Sequence, residues 1–324
     1  MRVLFAGTPE VALPALNALV NSSHEVLAVL TRPDAPVGRK RRLTPSPVKA
    51  RAEELGLPVL TPATLRDPEA QREIAELQVD AAAVVAYGNL VPRAALDIPT
   101  HGWVNLHFSL LPQWRGAAPA QRALLAGQEH TGMTVFRLDE GLDTGEVIAT
   151  APTQIGPLET SGQLLDRMAQ DGAPLLVQVM DALEAGTATF TAQDEAGASH
   201  AAKLSPAEAE IDLTAPAEQV SAQIRGMSPA PGAWTTLHGE RFKILSVEEA
   251  PEHAPLPPGR LLATKKHLLM GTGTTPLALG MVAPAGKKAM RGADWARGAL
   301  RDDSTTLGEQ PQASAAAEKK EQQA

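Results

Sequence analysis

The chain opens on an unbroken apolar run, residues 3–6, followed by Gly7, Thr8 and Pro9 and then by Val11, Leu13, Leu16, Leu19 and Val20 at helical spacing. A run that short predicts a buried strand; glycine supplies the turn, threonine a cap, and proline suits the first helical position. The unit recurs. Residues 25–31 predict a second strand, Ser46 and Pro47 start a helix that Gly56 ends, and residues 80–86, 103–108 and 133–138 predict three more strands. A helix over 117–126 falls between the last two of these, and a long helical pattern over 160–183 stops at Gly186. Strands alternating with helices predict an α/β layer built on a mostly parallel sheet.

Past Gly186 the texture changes. Residues 187–199 carry no period and read as a connector, and beyond them short strand-like runs at 234–237, 242–247, 260–263 and 277–279 are broken by Gly and Pro. Short strands with frequent turns predict a small barrel or sandwich. From Arg301 onward the chain is polar, rich in Ala, Gln and Glu, and without an apolar stripe, which predicts a disordered tail rather than a third domain. The expected organisation is a first domain over 1–186, a linker over 187–204, a second domain over 205–300 and the tail over 301–324.

Composition narrows the chemistry. With 44% apolar and 20% charged residues over 324 positions the chain is globular, and with 3% aromatics its core must be aliphatic. The lack of cysteine removes disulfide frameworks, thiolate metal cages and cysteine nucleophiles. The amino-terminal run is too short for a signal peptide and no apolar span approaches the ~20 residues that cross a bilayer, so a soluble cytoplasmic protein is expected. A net charge of −8 argues against a nonspecific nucleic-acid coat, yet Arg32, Arg39, Lys40, Arg41, Arg42, Lys49 and Arg51 stand against Asp34 alone. This loop, residues 31–50, is long for a strand-to-helix connection and has no aromatic for base stacking. Phosphate neutralisation, by a loop that orders on contact, is the mode it supports.

The densest polar chemistry lies in NLHFSLLP, residues 105–112. On a strand, Asn105, His107 and Ser109 share one face while Leu106, Phe108 and Leu110 take the other. Ligands usually bind at the carboxyl edge of such a sheet. The segment DEGLDTGE, residues 139–146, follows another strand and carries Asp139, Glu140, Asp143 and Glu146. If the two strands are neighbours, one of these carboxylates can reach the imidazole, orient it and raise its basicity. Spacing does not rank them; Asp143, between Leu142 and Thr144, is the choice. An amide donor, an imidazole and a carboxylate suit acyl transfer to an amine without a covalent enzyme intermediate. Ser109 lacks the G-x-S-x-G elbow of a hydrolase, no H-E-x-x-H spacing points to zinc, and AGTPE has one glycine where a dinucleotide site wants G-x-G-x-x-G.

Together these segments resemble a known family. FAGTPE (5–10), the PxGR and PSPVK pieces of the basic loop, VVAYG (84–88), NLHFSLLPQWRGAAPAQ (105–121), GLDTG (141–145), KLSPAEAEIDL (203–213) and PAGKKAM (284–290) are similar, in this order, to the methionyl-tRNA formyltransferase family. The resemblance implies a Rossmann-like formyltransferase domain with a mostly parallel sheet, then a small OB-like β-barrel that binds tRNA. It implies transfer of formyl from 10-formyltetrahydrofolate, a co-substrate, to the α-amino group of initiator methionyl-tRNA, with no metal, membrane or obligate protein partner. By motif match Asn105, His107 and Asp143 take the catalytic positions, and Ser109, Leu110, Leu111 and Pro112 the tetrahydrofolate-binding segment. Arg39 is the first tRNA-binding candidate, supported by Lys40, Arg41 and Arg42, with Lys287 and Lys288 as further phosphate contacts. The Asn-His-Asp core alone would also suit a formyltransferase for a sugar-nucleotide amine, against which the basic loop and second domain argue. A noncatalytic RNA-binding module on the same scaffold is the alternative from another class, and the intact Asn-His-Asp set argues against it.

Overall fold

The computed structural model describes residues 1–38, 40–300 and 305–308, so most of the expected tail lies outside the described residues. The chain forms two compact units. The first gathers Met1–Ala120, His130–Gln154 and Gln163–Ala202; the second gathers Gln121–Glu129, Ile155–Gly162 and the described residues from Lys203 on. Up to the end of the first unit the elements run β1 (Arg2–Gly7), α1 (Leu13–Val20), β2 (Glu25–Leu30), β3 (Ala35–Val37), β4 (Arg42–Thr44), α2 (Pro47–Glu54), β5 (Val59–Leu60), α3 (Pro68–Glu76) and β6 (Ala81–Val85). They continue with α4 (Arg93–Leu96), β7 (Trp103–His107), β8 (Arg115–Gly116), α5 (Pro119–Leu125), β9 (His130–Arg137), β10 (Val147–Gln154), α6 (Ser161–Glu184) and β11 (His200–Ala201).

Local chemistry sets the helix starts. Ser46 accepts the Lys49 amide at 3.0 Å ahead of Pro47, and Asp67 accepts the Glu69 amide at 3.0 Å ahead of Pro68, so α2 and α3 each begin with a side-chain cap and a proline. The sheet has the order β10-β9-β7-β6-β1-β2-β5. Every pair from β5 to β7 is parallel, while β9 runs antiparallel to both β7 and β10. The mostly parallel sheet expected from the alternation is present. Its central strands β1 and β6 are buried on both faces, which is why VLFA and AAAVV read as continuous apolar runs rather than as an alternation.

β10 and the β3–β4 hairpin are among the elements of this unit that the sequence did not announce. β10 contains Pro152, which opposes Gly132; a sheet edge tolerates proline because one side of the strand needs no ladder amide. Residues 35–44, expected as a loop, form the β3–β4 hairpin, with Ala35 opposite Thr44 and Val37 opposite Arg42. Among its described residues the side chains are exposed apart from partly covered Thr44, so no core face imposes an alternating pattern.

The second unit contains α7 (Ala217–Gly226), β12 (Trp234–Leu237), β13 (Glu240–Ile244), β14 (Val247–Glu248), β15 (Leu261–Ala263), β16 (Leu268–Met270), β17 (Leu277–Leu279), β18 (Met281–Ala283), β19 (Met290–Arg291) and α8 (Gly292–Ala299). The strands form two antiparallel sheets, β12-β13-β18-β19 and β14-β17-β16-β15. His238 and Gly239, both at positive φ (51° and 79°), make the two-residue turn joining β12 to β13. The strand expected over 242–247 is two strands, because the chain leaves one sheet after Ile244 and enters the other at Val247. Phe242, Ile244 and Val282 of the first sheet share a core with Leu261, Leu268, Met270 and Leu279 of the second, and Trp295 of α8 stacks on Phe242 at 4.8 Å between ring centroids. The short strands expected after the connector are thus present, as two antiparallel sheets packed around one core. Among the described residues no helix is long and apolar enough to cross a membrane.

Candidate active site

β7 sorts its side chains by alternation. Leu106 faces α6, where a β-carbon on Gly172 would come within 3.0 Å of Leu106 Cδ2, so Asn105 and His107 face the other side of the sheet. β9 is the antiparallel neighbour of β7, with Arg137 opposite Val104 and Thr134 opposite His107. The loop after β9 therefore starts beside the first residues of β7 and returns along it, bringing Asp143 to His107 with Oδ2 3.8 Å from Nδ1.

The other imidazole nitrogen is fixed. His107 Nε2 lies 2.9 Å from the Trp114 carbonyl, which can only accept, so Nε2 carries the hydrogen and Nδ1 of the neutral ring holds a lone pair toward Asp143. The Gly116 amide donates to Asp143 Oδ2 at 2.7 Å. Trp114 and Asp143, whose oxygens face the two imidazole nitrogens, both have left-handed backbones, φ 62° and 55°. Such a conformation costs a non-glycine residue about 1–3 kcal/mol and persists only where its surroundings enforce it. Gly116 has no room for a side chain, because a β-carbon would sit 2.8 Å from the Ala201 carbonyl oxygen. That close approach follows from β8 pairing with β11, Arg115 opposite His200.

Burial sets the electrostatics. His107 is 5% exposed, and desolvation pushes its pKa below the ordinary histidine value while the Asp143 carboxylate pulls it upward; the net direction is down. The imidazole is thus neutral at neutral pH, with an available lone pair and a carboxylate beside it to stabilise a proton acquired there.

Geometry ranks the four carboxylates that spacing left level. Asp139 closes its own turn, accepting from the Gly141 amide at 2.9 Å and from Thr144 Oγ1 at 2.7 Å. Glu146 pairs with Arg137 at 2.8 Å and Glu140 is exposed. Only Asp143 of the four faces the imidazole. The face shared by Asn105 and His107 ends with the strand, since Ser109 lies in the turn beyond it, fully buried, its hydroxyl donating to the Gln113 carbonyl at 2.6 Å. The Leu111 amide donates to Thr134 Oγ1 at 3.0 Å, and Leu110 packs on Gly132, where a β-carbon would fall 2.5 Å from Leu110 Cδ2. Pro112 accepts the Ser199 amide at 3.2 Å, so residues 109–112 form a tightly bonded turn. Lys40, Arg41 and Arg42 are exposed on the β3–β4 hairpin, Lys287 and Lys288 are exposed in the second unit, and Arg39 lies outside the described residues.

Four participants escaped the sequence reading: the Trp114 carbonyl, the Gly116 amide, and the side chains of Arg115 and Gln193. Backbone groups leave no residue signature, and Gln193 lies in the stretch without a period. One histidine–carboxylate cluster, His24 with Asp181 and Glu184, has ligand-like spacing, but the Met1 ammonium donates to Glu184 at 2.5 Å and lies 3.3 Å from His24 Nδ1, so these groups already have a cation.

Comparison with known proteins agrees with this architecture. Residues 1–180 match the family described as Formyl transferase, and residues 203–300 the one described as Formyl transferase, C-terminal domain. The chain is 53% identical over 309 residues to the methionyl-tRNA formyltransferase of Thermobifida fusca (strain YX), covering 95% of this chain and 100% of that one. It is 54% identical over 298 residues to the methionyl-tRNA formyltransferase of Arthrobacter sp. (strain FB24), covering 92% and 97%. Among solved structures, HypX from Aquifex aeolicus superposes with a TM-score of 0.66 at 16% identity, over 92% of this chain and 47% of that one. The sugar 3N-formyl transferase WlaRD, crystallised with dTDP and 5-N-formyl-THF, gives 0.60 at 15% identity over 89% and 99%. At these identities the structures speak for the fold alone. Fold and sequence matches together define an enzyme of the formyl transferase class. Within that class, the identities over nearly the whole length decide the branch: the chain belongs to the methionyl-tRNA formyltransferase family.

Proposed function

We propose that this chain moves the formyl group of 10-formyltetrahydrofolate to the α-amino group of initiator methionyl-tRNA, with Asn105, His107 and Asp143 as its catalytic residues. The observation that carries the reading is the imidazole of His107, pinned through Nε2 and turned with Nδ1 toward a carboxylate. The amine attacks the formyl carbon, a new C–N bond forms and the carbonyl electron pair moves onto oxygen. The amine proton passes to His107 Nδ1, giving an imidazolium beside Asp143, and the Asn105 amide and this imidazolium stabilise the oxyanion. As the oxyanion collapses, the bond to the folate nitrogen breaks and that nitrogen receives the proton. The folate carries the one-carbon unit while the protein supplies position and electrostatics.

Residues 109–112 take the tetrahydrofolate side of this reading, and the exposed cations of the β3–β4 hairpin take the phosphates of the tRNA; the compartment that goes with this reading is the cytoplasm. The deciding experiment measures tetrahydrofolate release with charged initiator tRNA, free methionine or an amino-sugar nucleotide as acceptor. Turnover is expected with the charged tRNA alone. Turnover on the amino sugar instead would move the chain to another branch of the class, and tRNA binding without turnover would make it a binding module. The hairpin has its own test. A Lys40→Ala, Arg41→Ala, Arg42→Ala triple variant is expected to raise the KM for tRNA at near-constant kcat. The salt dependence of kcat/KM should flatten by about 0.7–0.9 in log–log slope for each phosphate that is no longer neutralised. An unchanged slope would remove the hairpin from the tRNA interface.

A further inference from the structure

The stretch that the sequence marks as a connector is built into the site. Thr191 and Val147 exchange both backbone hydrogen bonds, at 2.8 and 2.9 Å, and Ser199 accepts the Trp114 amide on its hydroxyl at 2.9 Å and the Arg115 amide on its carbonyl at 2.8 Å. Between these anchors Gln193 spends its whole amide on one task. Its Nε2 donates to the Asp143 carbonyl at 2.9 Å and to the Gly145 carbonyl at 2.7 Å, while its Oε1 accepts from Arg115 Nε at 3.0 Å and Nη2 at 2.9 Å. The orientation of the amide is forced, since the guanidinium only donates and the two carbonyls only accept. Arg115 is 3% exposed and is held from its other edge by Glu195, at 3.0 Å from Nη1 and 2.8 Å from Nη2.

We propose that Gln193 is a positioning residue for formyl transfer: with Arg115 behind it, it clamps the backbone of residues 143–145 in the left-handed turn that presents the Asp143 carboxylate to His107. The inference rests on the catalytic reading of Asp143 given above. Its physical content is that Asp143 holds an unfavourable backbone conformation at φ 55°, and that the two carbonyls flanking Thr144 are tied to the rest of the unit by a single side chain that bonds both. No other residue type supplies two amide hydrogens and an oxygen that accepts twice at the same reach. Glutamate would set a carboxylate oxygen against two carbonyls, asparagine is one methylene short, and leucine keeps the bulk while losing all four bonds.

The test is a double-mutant cycle read in single-turnover formyl transfer, with KM for tRNA and folate measured alongside. Gln193→Leu is expected to lower the rate by about 10- to 100-fold, the size of effect a displacement of about 1 Å brings, with both KM values within twofold of the parent. In an Asp143→Asn background the same change is expected to cost less than twofold, because the carboxylate that the clamp positions is already gone. A merely structural glutamine would lower stability without this split and would multiply fully with the second substitution. Gln193→Glu, of unchanged size, guards against misfolding and is expected to reproduce the pattern, with folding verified by thermal unfolding and tRNA binding. Full turnover in folded Gln193→Glu, or multiplicative losses in the cycle, would overturn the inference. If Asp143→Asn alone leaves turnover intact, it is the catalytic reading that fails, which is a different result.

Discussion

His107→Ala is expected to lower kcat by about 10²- to 10⁴-fold, the range spanned by loss of a positioned acid–base group, while the affinity for methionyl-tRNA stays within about twofold. The asymmetry follows from where the residue sits. His107 is 5% exposed at the last position of β7, and its polar contacts are the Trp114 carbonyl and the Asp143 carboxylate, both inside the unit. Removing the ring leaves the Trp114 carbonyl without that donor, a cost of about 1–3 kcal/mol in stability, so the variant must be assayed well below its unfolding temperature. The rate should then fall at saturating substrate as well as at low substrate, because in the proposed mechanism the interaction removed belongs to the transition state rather than to binding. Stopped assays of formyl transfer at saturating tRNA, with tRNA binding measured separately, check this. Turnover within threefold of the parent in a folded His107→Ala enzyme would take the imidazole out of the mechanism and leave the Asn105 face without its proton carrier.

The sequence exposed the parts of the molecule whose physics is local. β1 and β6 announce themselves because a strand covered on both faces needs uninterrupted apolar residues, and Asn105 and His107 share a face because strand alternation has a period of two. The β3–β4 hairpin did not show itself, since a pairing with no buried face leaves no alternation to read. β10 stayed hidden behind Pro152, a residue that argues against a strand everywhere except at an edge. The site was legible in the same proportion. Its amide and imidazole lie on one strand, whereas the choice of Asp143 over Asp139, Glu140 and Glu146 depends on how a loop folds back along β7, which spacing does not encode. The supports of the site are more distant still. Trp114 and Gly116 act through backbone atoms, and Gln193 reaches a loop about fifty residues earlier in the chain. Long-range hydrogen bonds of this kind impose no period on either partner. The strand β7 is therefore readable in isolation, and the loops that complete its chemistry are readable only in three dimensions.

Asp143→Asn isolates charge from shape. The amide is the same size as the carboxylate and retains an oxygen to accept the Gly116 amide, the bond that anchors Asp143 Oδ2 at 2.7 Å, so the loop has reason to keep its place. The charge is what disappears. Burial lowers the pKa of His107 and the Asp143 carboxylate opposes that lowering more than the Trp114 carbonyl does, so in Asp143→Asn only the weaker opposition remains and the pKa moves further down. Two consequences follow. In the proposed mechanism the imidazolium loses its counter-charge, and kcat is expected to fall by about 10²-fold or more. The limb of the kcat/KM profile that reports His107 in the free enzyme is expected to shift to lower pH, because that profile reads the pKa of the unliganded site. The direction does not depend on whether the reaction begins from the neutral or the protonated ring, since either way the midpoint follows the same pKa. A profile measured from pH 5 to 9 in parent and variant supplies the check. A midpoint that stays put or rises would mean that the carboxylate 3.8 Å from Nδ1 is not electrostatically coupled to the imidazole, and the proton would then have to travel by a route that bypasses His107.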